Sequence, residues 1–298
     1  MNYENFIVAV KEAVEKLCPN DRVVAKKITK NNSTILESIS IFRGEEYAAP
    51  TIYLESYFYE YMQGKSIETI ARDIIEFSDM YRGRVEIDLK MCESFEGVKN
   101  RVLCKVINRE QNQVILENCP HRDFFDLAIV YYCVEMSSDN EYGSWLITNP
   151  IFGGWDTTEE ELYNAAINNI KSQMGWQVID IWDLLEEMTG EKYDRGEYEE
   201  NYEGPQMYVL TNEHRTFGAA GMLNFELLDE FFDEHGSFFI LPSSIHELIL
   251  VCRQNMDDAM NYKKMVEEVN ETQVPQMEFL SNSVYFYDRC EGLCKLNI

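Results

Sequence analysis

The segment with the clearest chemical potential is 241–247, where two serines, a histidine and a glutamate stand between two apolar runs. Nucleophilic catalysis needs a hydroxyl, a base within hydrogen-bond reach and donors for the oxyanion. Ser244, His246 and Glu247 supply residue types suited to a hydrolase, but no Gly-x-Ser-x-Gly elbow surrounds the serine. Because serine side chains in short loops also bond nearby backbone groups, the alternative is that Ser243 and Ser244 stabilise this turn.

Two asparagines, Asn149 and Asn212, complete the candidate polar site. They end the similar runs Trp-Leu-Ile-Thr-Asn at 145–149 and Tyr-Val-Leu-Thr-Asn at 208–212. An amphipathic segment follows each run after a loop, which fits an internal duplication. Asparagine also ends unrelated strands, because it tolerates turn geometry, so both interpretations stay open. Convergence of these amides with the 241–247 segment would indicate a ligand-binding pocket.

The sequence predicts neither a metal site nor a cofactor. The Cys-Pro-His run at 119–121 and the pair Cys290 and Cys294 have compact spacing, but neither shows the paired CxxC spacing of structural zinc sites. Asp123 and Asp126 form a close carboxylate pair of the kind that can bind divalent ions. In so acidic a chain such pairs arise by chance, and we interpret this one as solvated surface.

Local patterns predict both helices and strands. Ser66 is placed to cap the helix that follows it, and Thr158 and Glu161 have the spacing of a capping box at a helix start. Polar turns at 30–33 and 137–140 each indicate a hairpin. The strands occur in adjacent groups, whereas a doubly wound fold alternates strand and helix, so we expect an α+β fold with mostly antiparallel sheets and packed helices. The predicted helices cover approximately 3–17, 57–61, 67–75, 159–170, 225–232 and 257–269. The predicted strands are 22–29, 34–42, 102–107, 127–134, 145–148, 207–210, 217–223, 238–241 and 248–251.

Length and charge indicate the number of domains and the kinds of partner that the chain can bind. The chain has 298 residues, of which 53 are acidic and 26 are basic, giving a formal net charge of −27. This charge repels nucleic acid and anionic membranes and favours a basic protein partner. Charges interrupt every apolar run, the chain start lacks a signal-peptide pattern, and the cysteines fit a reducing cytoplasm. We expect one or two domains, with an N-terminal unit at 1–95 and a main domain at 96–298 that carries an acidic loop near 186–204.

Several runs together resemble a family of uncharacterised proteins found in many copies in anaerobic gut bacteria. The runs are Ala-Pro-Thr-Ile-Tyr-Leu at 49–54, Tyr-Val-Leu-Thr-Asn at 208–212, Phe-Gly-Ala-Ala at 217–220, Leu-Pro-Ser-Ser-Ile-His-Glu at 241–247, Val-Asn-Glu-Thr at 269–272, Ser-x-Ser-Val-Tyr at 281–285 and Tyr-Asp at 287–288. The similarity spans nearly the whole chain. It implies a bacterial cytosolic protein and makes the 241–247 segment a family hallmark, but it supplies no activity.

Three functional hypotheses follow from these observations. The first is a non-enzymatic protein-binding or regulatory protein with a basic partner. The second is a hydrolase that uses Ser244, His246 and Glu247. The third is an inhibitor whose carboxylates mimic the phosphates of nucleic acid, which requires those carboxylates to be arrayed on one face.

Overall fold

The computed structural model describes residues 1–46, 48–83, 89–136, 142–192, 204–253 and 258–298. The chain divides into two compact units. The first comprises Met1–Leu89 and Val134–Ser144, and the second comprises Lys90–Cys133 and Trp145–Ile298. The domain boundary expected near residue 95 stays a prediction.

The first unit combines a three-stranded sheet with helices. The elements in chain order are α1 (Tyr3–Leu17), β1 (Arg22–Thr29), β2 (Ile35–Phe42), β3 (Ile52–Tyr53), α2 (Glu55–Met62) and α3 (Ile67–Tyr81). The sheet order is β1-β2-β3, with antiparallel pairing throughout. The predicted helix at the chain start and the predicted hairpin with its turn at 30–33 are confirmed. Ser66 caps α3 by accepting a hydrogen bond from the Thr69 N–H at 3.1 Å, as the sequence predicts.

The core of the first unit is formed by apolar residues of α1, α3 and the sheet. Apolar residues of α1 recur at helical spacing, so Phe6, Val10 and Val14 all point inward and are fully buried. They pack with Ile39 and Ile41 of β2 and with the buried residues of α3. Burial of this apolar stripe holds α1 against the sheet.

The second unit contains two antiparallel sheets. Its strands are β4 (Val102–Asn108), β5 (His121–Phe124), β6 (Leu127–Met136), β7 (Tyr142–Leu146), β8 (Trp176–Asp180), β9 (Met207–Asn212), β10 (Phe238–Leu241), β11 (Leu248–Cys252), β12 (Tyr285–Asp288) and β13 (Gly292–Lys295), of which β6 and β7 extend into segment 134–144 of the first unit. The larger sheet has the order β13-β12-β10-β11-β9-β8, and the smaller has β4-β6-β5 with β7 also pairing with β6. The α+β prediction with mostly antiparallel sheets is therefore confirmed.

Helices α4 to α11 follow along the chain from residue 89. They are α4 (Leu89–Cys92), α5 (Phe95–Val98), α6 (Gln113–Leu116), α7 (Asn149–Gly153), α8 (Glu159–Gln173), α9 (Ile181–Thr189), α10 (Phe225–His235) and α11 (Ala259–Thr272). The capping box of α8 is confirmed, because Thr158 Oγ1 accepts from the Glu161 N–H while Glu161 Oε2 accepts from the Thr158 N–H. No helix of the described ranges combines the length and apolar character needed to cross a lipid bilayer.

One predicted strand is wrong. Residues 217–223 were expected to be extended, but Gly218–Leu223 forms a buried 3₁₀ helix. A short, wholly apolar run does not distinguish a strand from a buried helical turn. Because Gly218 and Gly221 carry no Cβ, this turn can approach β9 closely, with Leu210 directly against Gly221. Tertiary packing decides its conformation.

Three of the sequence predictions fall partly or wholly outside the described residues. In the acidic segment expected to form a loop near 186–204, residues 186–189 belong to α9, which Asp180 caps through the Trp182 N–H. Residues 193–203 of that segment lie outside the described residues. The predicted hairpin turn at 137–140 also lies outside them, as does the predicted start of α11 at Asp257.

Candidate functional site

The 241–247 segment connects two neighbouring strands, because β10 ends at Leu241 and β11 begins at Leu248. Inside the connection, the Ser244 N–H donates to the Glu247 carbonyl at 3.2 Å. The Ser244 hydroxyl oxygen accepts from the His246 N–H at 3.0 Å, and the Ser243 hydroxyl donates to Glu247 Oε1 at 3.3 Å. Both serines therefore stabilise the turn in which they lie.

His246 is bonded to a neighbouring segment through both its ring and its backbone. Its Nδ1 accepts a hydrogen bond from the Phe217 N–H at 3.3 Å, and its carbonyl accepts from the Thr211 hydroxyl at 2.9 Å. The imidazole also stacks on the Phe217 ring, with centroids 5.7 Å apart. Because Nδ1 is an acceptor, the neutral imidazole carries its proton on Nε2.

The electrostatic surroundings of His246 favour the neutral ring. Burial lowers its pKa below the ordinary histidine value, and the charge of Lys105 lowers it further. The carboxylates of Glu278 and Glu247 oppose this shift without reversing it. A neutral ring with its proton on Nε2 presents a donor at its second nitrogen.

This geometry differs from that of a Ser–His catalytic pair. The bond between Ser244 and His246 joins the hydroxyl to a backbone amide, whereas a nucleophilic serine gives its proton to an imidazole nitrogen. The imidazole nitrogen that could act as a base accepts from the Phe217 N–H instead. Ser244 and His246 are thus joined through a backbone amide of the turn in which both lie.

Asn212 closes the loop that follows β9. Its Oδ1 accepts from the N–H groups of His214 at 3.0 Å and Thr216 at 3.3 Å, and its Nδ2 donates to the Thr216 carbonyl at 2.7 Å. The asparagine is fully buried. Its amide thus satisfies backbone groups that a short loop would otherwise leave unpaired.

Asn149 bonds a different part of the second unit. It is exposed at the start of α7, where its N–H donates to the Asn118 carbonyl and its Nδ2 donates to the Glu117 carbonyl, both at 2.9 Å. The structure therefore joins Asn212 and the 241–247 segment through the residues between Thr211 and Phe217, while Asn149 anchors α7 to the 117–118 turn. The two Thr-Asn runs have different local roles, because Asn212 ends a strand and Asn149 begins a helix.

An open groove of about 540 Å³ lies beside α6 and β5. Its lining residues are Arg109, Glu110, Gln113, Leu116, Glu117, His121 and Asp123. Arg109 pairs with Asp123 at 3.0 Å, and His121 Nδ1 donates a hydrogen bond to the Cys119 carbonyl at 3.0 Å. Across the described ranges, no three His, Cys, Asp or Glu side chains are grouped so as to hold a metal ion.

Asp126 has a role that the sequence interpretation missed. Its carboxylate accepts hydrogen bonds from the hydroxyls of Ser281 at 2.6 Å, Ser283 at 2.9 Å and Tyr285 at 2.8 Å. Burial raises the pKa of Asp126, but the hydroxyl donors lower it more, so the net pKa lies below the ordinary aspartate value. The Ser-x-Ser-x-Tyr spacing at 281–285 is the available signal, since alternate residues of an extended chain share one face.

The second unit is thus built from antiparallel sheets whose connections are closed by their own polar side chains. These features define an α+β protein in which Asn212 and the 241–247 residues bond backbone groups of their own connections, while Asn149 begins a helix. The chain belongs to the family of unknown function DUF5688, whose model matches residues 3–289. The expected membership of a family without an assigned activity is confirmed. No curated protein and no solved structure matches the chain.

Proposed function

We propose that this chain is a non-enzymatic, cytoplasmic protein that binds a basic protein partner. The observation that carries the proposal is the engagement of His246 Nδ1 by the Phe217 N–H, which occupies the nitrogen that catalysis would need. Ser244 is likewise engaged by a backbone amide. The residues best suited to hydrolysis contribute to the scaffold, and this favours a binding role.

The negative charge of the chain supports a basic partner. The net charge of −27 produces a field that attracts cationic proteins and accelerates their encounter with this chain. Exposed carboxylates include Glu230 and Glu234, one turn apart on α10, and Glu268 and Glu271 on α11. Salt screens such exposed charges over roughly 8 Å at physiological ionic strength, so binding should weaken as salt rises.

The test is affinity capture from the native lysate, followed by direct measurement with the purified partner. Binding should be measured by calorimetry at low and moderate salt, for the wild-type chain and for the Glu230→Gln/Glu234→Gln double variant. A specific basic partner with a salt-dependent Kd supports the proposal. The absence of a specific partner at both salt concentrations would count against it.

The hydrolase alternative makes a separate prediction. It requires turnover of an ester or amide substrate that disappears in His246→Ala and Ser244→Ala while the variants stay folded. Circular dichroism should accompany the assay, because His246 and Ser244 also stabilise the turn. Turnover with this pattern would replace the binding proposal by an enzymatic one.

A further inference from the structure

Residues 213–217, here called the 213–217 loop, hold an unusual backbone conformation beside His246. Residues 213–216 are exposed, and Arg215 and Phe217 have φ of +48° and +55°, in the left-handed region that non-glycine residues rarely adopt. Such conformations persist where the surrounding structure imposes them. Here a small set of contacts imposes this one.

Several contacts restrain the 213–217 loop, including a hydrogen bond from the Glu213 N–H to the Gly175 carbonyl at 2.9 Å. The Asn212 side chain bonds the loop backbone, and Arg215 pairs with both carboxylate oxygens of Glu187 on α9 at 2.7 Å. A further contact, between the Phe217 N–H and His246 Nδ1, joins the end of the loop to the 241–247 segment. Of these contacts, it is the one whose acceptor is a histidine nitrogen, which acid can protonate.

We propose that His246 is a proton-operated latch, closed when Nδ1 is unprotonated and opened when Nδ1 takes up a proton. A protonated Nδ1 carries a hydrogen that faces the Phe217 N–H. The hydrogen bond is then lost, and two donors oppose each other. Phe217 loses a restraint on its left-handed backbone, and the 213–217 loop is released while the sheets remain folded.

The groups that face His246 set the direction of the switch. Glu247 lies on its own segment, Glu278 lies on the segment before β12 and Lys105 lies on β4. The Lys105 ammonium stands 4.2 Å from the centroid of the Phe217 ring, which itself stacks on the imidazole. Burial and this cation disfavour the charged imidazole, so the latch is closed at neutral pH and opens in mild acid. The device acts on loop conformation and does not depend on the identity of any partner.

The experiment measures amide hydrogen exchange of the 213–217 loop between about pH 7.5 and pH 5, the range in which histidine titrates. Rates are converted to protection factors, which removes the intrinsic pH dependence of exchange. For the full-length wild-type chain, protection of the Phe217 amide should fall about fivefold on acidification, the effect of losing one ordinary hydrogen bond. Amides in β10 and β11 should keep their protection.

Two substitutions of His246 separate the latch from general acid sensitivity. His246→Asn places an amide oxygen near the position of Nδ1 and cannot titrate, so protection should stay high at every pH. His246→Gln extends its amide toward the position of Nε2 and leaves the Phe217 N–H unbonded, so protection should be low at every pH. His214→Asn, which changes the exposed histidine of the same loop, should leave the wild-type profile intact.

The wild-type titration decides the question even where a variant fails to fold. Constant protection of the Phe217 amide across the range would overturn the proposal. A wild-type pH response that survives in folded His246→Asn, or that disappears in His214→Asn, would overturn it equally.

Discussion

The hydroxyl of Tyr285 on β12 donates a hydrogen bond to Asp126 Oδ1 at 2.8 Å, in the turn between β5 and β6. The hydroxyls of Ser281 and Ser283 meet the other oxygen of the same carboxylate. One aspartate therefore connects the two sheets of the second unit. Hydrogen bonds to an ionised group are stronger than neutral ones, so this aspartate should matter for stability.

Asp126→Asn should destabilise the protein by about 2–3 kcal/mol, because the amide offers one acceptor oxygen where the carboxylate offers two. Its NH₂ group would also face hydroxyl donors. The free energy of unfolding from urea titration measures the loss. Asp123→Asn is the matched control, since this carboxylate is 63% exposed and should change stability by less than about 1 kcal/mol. Equal effects of the two substitutions would contradict the assigned role.

The pH dependence of stability should report the same carboxylate. The pKa of Asp126 is lowered in the folded chain, so the unfolded chain binds protons more readily as the pH falls. The stabilisation by Asp126 is therefore present above the ordinary aspartate pKa and is lost as the pH falls through the lower folded value. Wild-type unfolding free energy should fall more steeply across this acid range than that of Asp126→Asn. Parallel curves would show that Asp126 has no lowered pKa.

Gly218→Ala should destabilise the second unit by about 1–3 kcal/mol, as overpacking does in dense cores. A Cβ at this position would lie 2.6 Å from Thr211 Oγ1 and also against the His246 carbonyl oxygen. Gly153→Ala is the control, because a Cβ there meets nothing within 4 Å and alanine favours helix. Thermal unfolding of both variants measures the difference. A harmless Gly218→Ala would mean that the 3₁₀ turn packs less closely on β9.

Tyr131→Phe should cost about 1–2 kcal/mol, because it removes a hydroxyl that bonds a carboxylate inside the fold. Tyr131 is fully buried, and its hydroxyl donates to Glu159 Oε1 at 2.6 Å. Tyr163→Phe is the control, since the Arg122 guanidinium lies 3.9 Å from the centroid of the Tyr163 ring and needs only that ring. The free energy of unfolding from chemical denaturation should fall more in Tyr131→Phe than in Tyr163→Phe. An equal loss in both variants would refute the role of the Tyr131 hydroxyl.

Features that depend on neighbouring residues were predictable from the sequence. The β1–β2 hairpin follows from alternating apolar residues around a polar turn, and the Ser66 and Thr158 caps follow from local spacing. Strand β8 and helix α9 were missed. The strand has only five residues and leads directly into the helix, so no turn residues separate the two segments in the sequence.

For the candidate site, the sequence identified the relevant segment but not its contacts. The 241–247 segment and Asn212 do meet through the loop after β9, yet the roles of Phe217 and Lys105 had no local signal. Phe217 has the sequence context of an ordinary apolar residue, and the acceptor of its N–H lies 29 residues away in sequence. Long-range contacts of this kind are set by strand pairing.

The sequence alone determined the mixed helix-and-strand class, the acidic charge, the membership of a family of unknown function and the positions of the five longest described helices. These follow from composition and short-range periodicity, which act between residues a few positions apart. Only the tertiary structure decided that Asp126 meets three hydroxyls and that His246 bonds a backbone amide. Those bonds join segments brought together by antiparallel pairing, and the choice of partners is settled by burial of the whole core.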